Sequence, residues 1–110
     1  MTGSDLDNGF GGRSNDVTKA VNFLKALSNE GRLQILCLLL DQDRSVGELA
    51  EILGLSQPTV SQQLMRLRSE GWLGSRKVGK TVMNYLLRPD VKPIISALRD
   101  AFCSNPQARD

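Results

Sequence analysis

The stretch "GLSQPTVSQQLMRLRSEGW", residues 54–72, decides how the rest of the chain is read. Val60, Leu64 and Leu67 recur at the spacing of one helical face. Ser56 or Gln57 can cap that helix, Pro58 in its first turn needs no amide partner, and Gly71 ends it. With the apolar stripe turned inward, Pro58, Gln62, Met65 and Arg66 point outward and Thr59 and Ser61 lie on the flanks. Between Leu55 and Arg68 there is no carboxylate. A face of amides, hydroxyls and arginines without acids suits a polyanion, because each carboxylate would meet phosphate at short range.

Immediately upstream, "SVGELAEILG" reads as a short helix. Ser45 and Glu48 have the three-residue spacing of a capping box, Val46, Leu49, Ile52 and Leu53 are apolar, and Gly54 supplies the turn. A short helix, a glycine turn and a second helix make a helix-turn-helix, a motif that places its second helix in the DNA major groove. Gln57 stands in the first turn, where such helices touch base edges. Glutamine can bond adenine bidentately, and hydroxyls read several bases. Arg66 and Arg68 are expected to contact phosphate, fixing register without reading sequence.

Downstream, "WLGSRK" and "TVMNYLL" are two strand-type runs joined at Val78-Gly79-Lys80, a hairpin. Arg76, Lys77 and Lys80 lie at or near its tip, placed to reach a minor groove or the backbone. Before the motif, a helical pattern begins at Asp16 with Val21, Leu24 and Leu27 on one face. A second helix opens at Ser28 or Asn29 and carries Leu33, Leu36, Cys37 and Leu40 at core spacing. Asp41 to Arg44 reads as a polar turn. After Pro89 a last helix is expected, capped by Asp90, with Ile94, Ile95, Leu98 and Phe102 apolar. The expected class is mainly α with a β-hairpin wing, a winged helix-turn-helix, in the order helix, helix, helix-turn-helix, hairpin, helix. Residues 1–15 and 105–110 read as tails around a domain at 16–104.

The 110 residues carry a formal charge of +2 that is unevenly spread. Residues 55–88 hold six basic side chains against Glu70 alone, whereas residues 1–54 hold five basic and eight acidic ones. That block is the electrostatic footprint of a polyanion-binding face. The N-terminus lacks the basic start and apolar core of an export signal, and the longest apolar run, Ile35 to Leu40, is too short to span a bilayer. A cytoplasmic protein without membrane contact is expected, whose two cysteines, Cys37 and Cys103, are free, metal-bound or redox-active. No base stands ready to make either thiol an enzyme nucleophile, since the chain has no histidine, and an enzyme is not expected.

The segments "LKALSNEGRLQILCLLL" and "SVGELAEILGLSQPTVSQQLMRLRSEGWLGSRKVGKTVMNYLL" resemble the ArsR family of bacterial winged-helix repressors from about Val17 to Cys103. The resemblance implies a homodimer built on the first and last helices, bound to a palindromic operator that it represses. It puts DNA contacts on Ser56, Gln57, Thr59, Ser61, Gln62 and Gln63 and on the wing. The family's thiol metal site on the helix before the reading helix corresponds to Ser45-Val46-Gly47 here, which has no cysteine. Its zinc site on the last helix needs histidine, and Lys92 stands near that place, so neither a metal nor another cofactor is expected. The pair Cys37 and Cys103 resembles that of a dithiol subgroup responding to reactive sulfur species or oxidants. Bridging the two is expected to release the operator. Arsenic(III) or a soft metal held by the same cysteines, or an anti-repressor with no ligand switch, are the alternatives.

Overall fold

Two Schellman turns shape the centre of the molecule, a computed structural model that describes residues 14–102. Helix α3 (Val46–Leu53) starts at Ser45, whose side chain accepts from the Glu48 amide at 3.1 Å while the Glu48 carboxylate accepts from the Ser45 amide at 2.8 Å. It ends at Gly54, held at φ 69, with the Leu55 amide reaching back to Ala50 at 3.0 Å. Helix α4 (Gln57–Ser69) ends in the same way: Gly71 has φ 85, and the Trp72 and Gly71 amides donate to Leu67 and Arg68. A left-handed residue is needed at each place to satisfy the last carbonyls, and glycine adopts it without a Cβ penalty.

The chain divides into two compact units, residues 1–33 and 34–110. In the first, α1 (Ser14–Leu27) begins two residues before Asp16, buries Leu27 and leaves Val21 and Leu24 exposed. Helix α2 (Glu30–Asp41) opens there, capped by Asn29, whose side chain accepts from the Arg32 amide at 2.9 Å. In the second unit α2 buries Ile35, Leu36 and Leu39. Leu33, Cys37 and Leu40 are only half-buried, so the expected core stripe is rotated. The cause is that "LQILCLLL" is apolar nearly all round, and spacing alone does not choose a face.

Arg44–Ser45 is not a plain turn but a strand, β1, and Arg44 within it closes the end of α2 by donating Nε–H to the Leu38 carbonyl at 3.0 Å. Strands β2 (Leu73–Val78) and β3 (Thr81–Leu86) form the expected hairpin around Gly79-Lys80. Strand β1 covers the free edge of β3, Arg44 opposite Asn84 and Ser45 opposite Met83, which gives a three-stranded antiparallel sheet in the order β1-β3-β2. A two-residue strand has no sequence pattern to announce it, and pairing an exposed edge is what makes it form.

Helix α5 (Lys92–Phe102) buries Ile95, and Val91 before it, and exposes Ile94 and Phe102. Asp90 does not cap it. The first helical carbonyl belongs to Val91, and the Asp90 carboxylate accepts from Arg88 Nη2 at 2.8 Å. That hydrogen bond holds the Asp90 carboxyl below its ordinary range. The pair's contribution is therefore present at neutral pH and fades as pH falls through the lowered folded-state value. No helix among the described residues is long and apolar enough to cross a membrane.

Gly74 faces the Tyr85 ring so closely that an added Cβ would overlap the Cζ atom. Gly74→Ala is expected to lower stability by about 1–3 kcal/mol, the usual cost of overpacking. At Gly47 an added Cβ meets nothing nearer than Gln57 Nε2 at 3.5 Å. There the same change should alter stability by less than about 1 kcal/mol, and urea unfolding of the two variants checks the contrast.

Candidate nucleic-acid interface

The core fixes which way α4 faces. Val60, Leu64 and Leu67 are 0–2% exposed, which leaves Gln57, Pro58, Thr59, Ser61, Gln62, Met65 and Arg66 on the accessible side of the same helix. The inward stripe thus agrees with the sequence reading residue for residue. Ser56 is the N-cap. Its Oγ accepts from the Thr59 amide at 3.3 Å and lies 2.8 Å from Thr59 Oγ1, so these two hydroxyls already hold each other in place. The Gln57 amide folds back toward Gly47 of α3. Gln63 sits at the edge of the buried stripe and is half-buried. Its Oε1 is enclosed without a hydrogen-bond partner among the described residues.

Two arginines have protein partners that the sequence did not announce. Arg68 was expected beside Arg66 on phosphate, but it is half-buried and donates Nη1–H to Asn84 Oδ1 at 3.0 Å. Its position one residue past Leu67 puts it on the side of α4 that faces the sheet. Arg76, in β2, is ion-paired with Asp43 at 2.6 Å, with side-chain exposures of 59% and 32%. Lys77 and Lys80 are exposed at the far end of the hairpin. The face therefore joins the outer side of α4 to the wing, and no carboxylate lies on α4 itself.

Asn84 is the functional candidate the sequence reading missed. It is 2% exposed, and its Nδ2 donates to the Arg44 carbonyl at 3.0 Å. The available signal was parity: Asn84 shares a strand face with Leu86, which is buried.

Of the two cysteines, Cys37 is half-buried on α2, and Cys103 lies outside the described residues. Cys37 stands one helical turn before Asp41, and Asp41 Oδ1 accepts from Arg99 Nη1 at 2.7 Å. The Asp41 hydrogen bond holds Arg99 above its ordinary range, and attraction from Cys37 acts in the same direction. Arg99 is thus within electrostatic reach of Cys37. Among the described residues, no group of three or more His, Cys, Asp or Glu stands together as a metal site.

Comparison with known proteins converges on one kind of molecule. Residues 29–73 match the family model described as bacterial regulatory protein, arsR family. Transcriptional activator HlyU of Vibrio cholerae is 48% identical over 89 residues, covering 81% of this chain and 82% of that protein. Its solved structure superposes with a TM-score of 0.76 at 46% identity, over 84% of this chain and all of that one. The biofilm growth-associated repressor of Xylella fastidiosa is 36% identical over 104 residues, 94% of this chain and 85% of that protein. A homodimeric winged helix-turn-helix DNA-binding domain from Mycobacterium bovis matches with a TM-score of 0.67 at 28% identity, over 80% of this chain and 82% of that one.

The Asp43–Arg76 pair is exposed, so Asp43→Asn should change stability by less than about 1 kcal/mol. It should tighten binding to duplex DNA and steepen the salt dependence by about one unit of log–log slope, because a wing cation is freed for phosphate. Fluorescence anisotropy across a salt series reads both.

Proposed function

Since this chain belongs to the arsR family of bacterial regulatory proteins, we propose that it is a homodimeric repressor that leaves its operator when Cys37 and Cys103 become bridged. It is a DNA-binding transcriptional regulator, and its homologues are not enzymes. For DNA contact, the supporting observation is the acid-free outer side of α4 above a fully buried stripe. Gln57, Ser61 and Gln62 are the base-reading candidates, with Ser56 and Thr59 fixing the helix start and Gln63 at its inner edge. Arg66, Arg76, Lys77 and Lys80 meet phosphate. The exposed Val21 and Leu24 of α1 and Ile94 and Phe102 of α5 supply apolar surface for a twofold partner. Two reading helices about 34–36 Å apart then match successive major grooves of a palindrome.

The observation that carries the switch is the Asp41–Arg99 ion pair. It joins α2 to α5, with Cys37 four residues before Asp41 and Cys103 four residues after Arg99 in the sequence. Reactive thiols stand beside cations, and Arg99 is such a cation for Cys37. With a low-molecular-weight persulfide, the Cys37 thiolate attacks the outer sulfur, forming a protein persulfide and releasing the donor's thiolate. The Cys103 thiolate then attacks Cys37 Sγ, forming the Cys37–Cys103 disulfide and expelling hydrosulfide. The two electrons lost by the thiols reduce that sulfane sulfur. With peroxide, Cys37 becomes a sulfenic acid with release of hydroxide, and Cys103 displaces water from it. A longer sulfur chain would serve where the cysteine Cα atoms lie beyond the roughly 7 Å limit of a direct bridge. Either link ties α2 to α5 and shifts the two reading heads relative to each other.

A second reading, relief of another repressor, is favoured by one finding: the relative at 48% identity is named an activator and the one at 36% a repressor. Bridging would act on DNA affinity in the same way under both.

Wild-type protein treated separately with peroxide, persulfide and arsenite is expected to release operator DNA with one of the first two, with an affinity loss of about 5- to 150-fold. Intact mass should show the loss of both thiol hydrogens or the addition of sulfur. Cys37→Ser and Cys103→Ser should each bind DNA normally and fail to let go. Release that persists in both variants removes the dithiol switch, and release by arsenite alone transfers the cysteines to soft-metal sensing.

A further inference from the structure

We infer that Asn84 is the positioning residue that sets the wing's angle to the reading helix. The inference rests on the reading that Lys77 and Lys80 contact DNA. Three elements meet at this one side chain. Its Nδ2 donates to the Arg44 carbonyl of β1 at 3.0 Å, and its Oδ1 accepts from Arg68 Nη1 of α4 at 3.0 Å. In the sheet it stands opposite both Arg44 and Ser75. The Arg44 carbonyl is joined directly to Ser45, the cap of α3, so Asn84 links both helices of the motif to the wing.

Asn84 is the buried polar side chain among the described core residues, at 2% exposure. Burying an amide is costly unless its donor and acceptor are both used, and here both are. Next to Asn84 lies an open cleft of about 240 Å³ lined by Val46, Ser61, Leu64, Arg68, Val82 and Asn84 itself. Beside this cleft the Arg68–Asn84 hydrogen bond crosses from α4 to the wing. Lys80 stands four residues along the chain from Asn84, about 13 Å at strand rise. A 10° tilt at Asn84 would carry the tip about 2 Å, enough to break a phosphate contact.

The chemistry of each atom bears on the substitution. Asn84→Ala leaves the Arg44 carbonyl and one Arg68 donor without their partner. Arg68→Lys keeps the charge and loses the planar reach to Asn84 Oδ1. It serves as the second variant should Asn84→Ala fold poorly.

The test is a double-mutant cycle on operator affinity and salt slope, with circular dichroism establishing that each variant is folded. In the wild-type background, Lys77→Ala with Lys80→Ala should lower the salt slope by about two per protomer. In the Asn84→Ala or Arg68→Lys background, the same two changes should cost less than half as much, because the wing no longer reaches the backbone. Gln62→Ala should cost the same in every background, which a general loss of structure would not permit. An undiminished lysine effect in both hub variants overturns the inference. No lysine effect in the wild type removes the wing reading, and the inference with it; a lysine effect that is present but insensitive to the hub removes the inference alone.

Discussion

Everything at the reading surface depends on the burial of three side chains on one helix. Val60, Leu64 and Leu67 occupy a single stripe and are almost wholly removed from water. Each such side chain is worth about 1.5–3 kcal/mol when buried, so rotating α4 by even one residue would forfeit several kcal/mol. The polar side is held outward by that cost and needs no interactions of its own to be presented. This is why Gln57, Ser61, Gln62 and Arg66 can stay exposed, uncommitted to one another, and still be aimed as a set. The Schellman turns at Gly54 and Gly71 do the complementary work of fixing where the helices of the motif stop.

Electrostatics acts on top of that framework. The acids of the motif are confined to α3, where Glu48 is consumed in the capping box, and to Glu70 at the far end of α4. Arg66 and Arg68 sit in the last turn of α4, where they favour the helix dipole as well as a polyanion. The acid that does approach the wing, Asp43, is engaged by Arg76. A polyanion has to compete for Arg76 but finds Lys77 and Lys80 exposed. The wing therefore offers graded positive charge, strongest at its tip.

Much of this was legible from residue types and spacing, because local rules decided it. The Ser45–Glu48 box, the glycine stops, the α4 stripe and the hairpin each depend on contacts within a few residues, and each is found as read. What was not legible depends on contacts distant in sequence. Strand β1 exists because β3 offers an edge 40 residues away. The face of α2 is chosen by its neighbours, since its own residues are apolar on nearly every side. Arg68 was assigned by position to phosphate, but Asn84 on β3 holds it; Asp90 is a local exception, drawn from the expected cap by Arg88 two residues before it. Asn84 itself lay hidden in a strand pattern that predicts apolar residues on its inward face.

The same division between local and distant contacts bears on regulation. A bridge at Cys37, as proposed, would alter DNA reading by moving α4 or the wing, and α2 carries none of the proposed base-reading residues itself. What α2 does have is its C-terminal end, where Arg44 Nε–H closes the Leu38 carbonyl and the Arg44 carbonyl meets Asn84. Cys37 lies within one turn of both Leu38 and Asp41, so under the proposed switch a displacement of that end of α2 would pass to Arg44. From Arg44 it reaches the Ser45 cap through one peptide bond and the wing through one hydrogen bond. Under the proposed switch, this polar path would carry a displacement beside the thiol to the reading head.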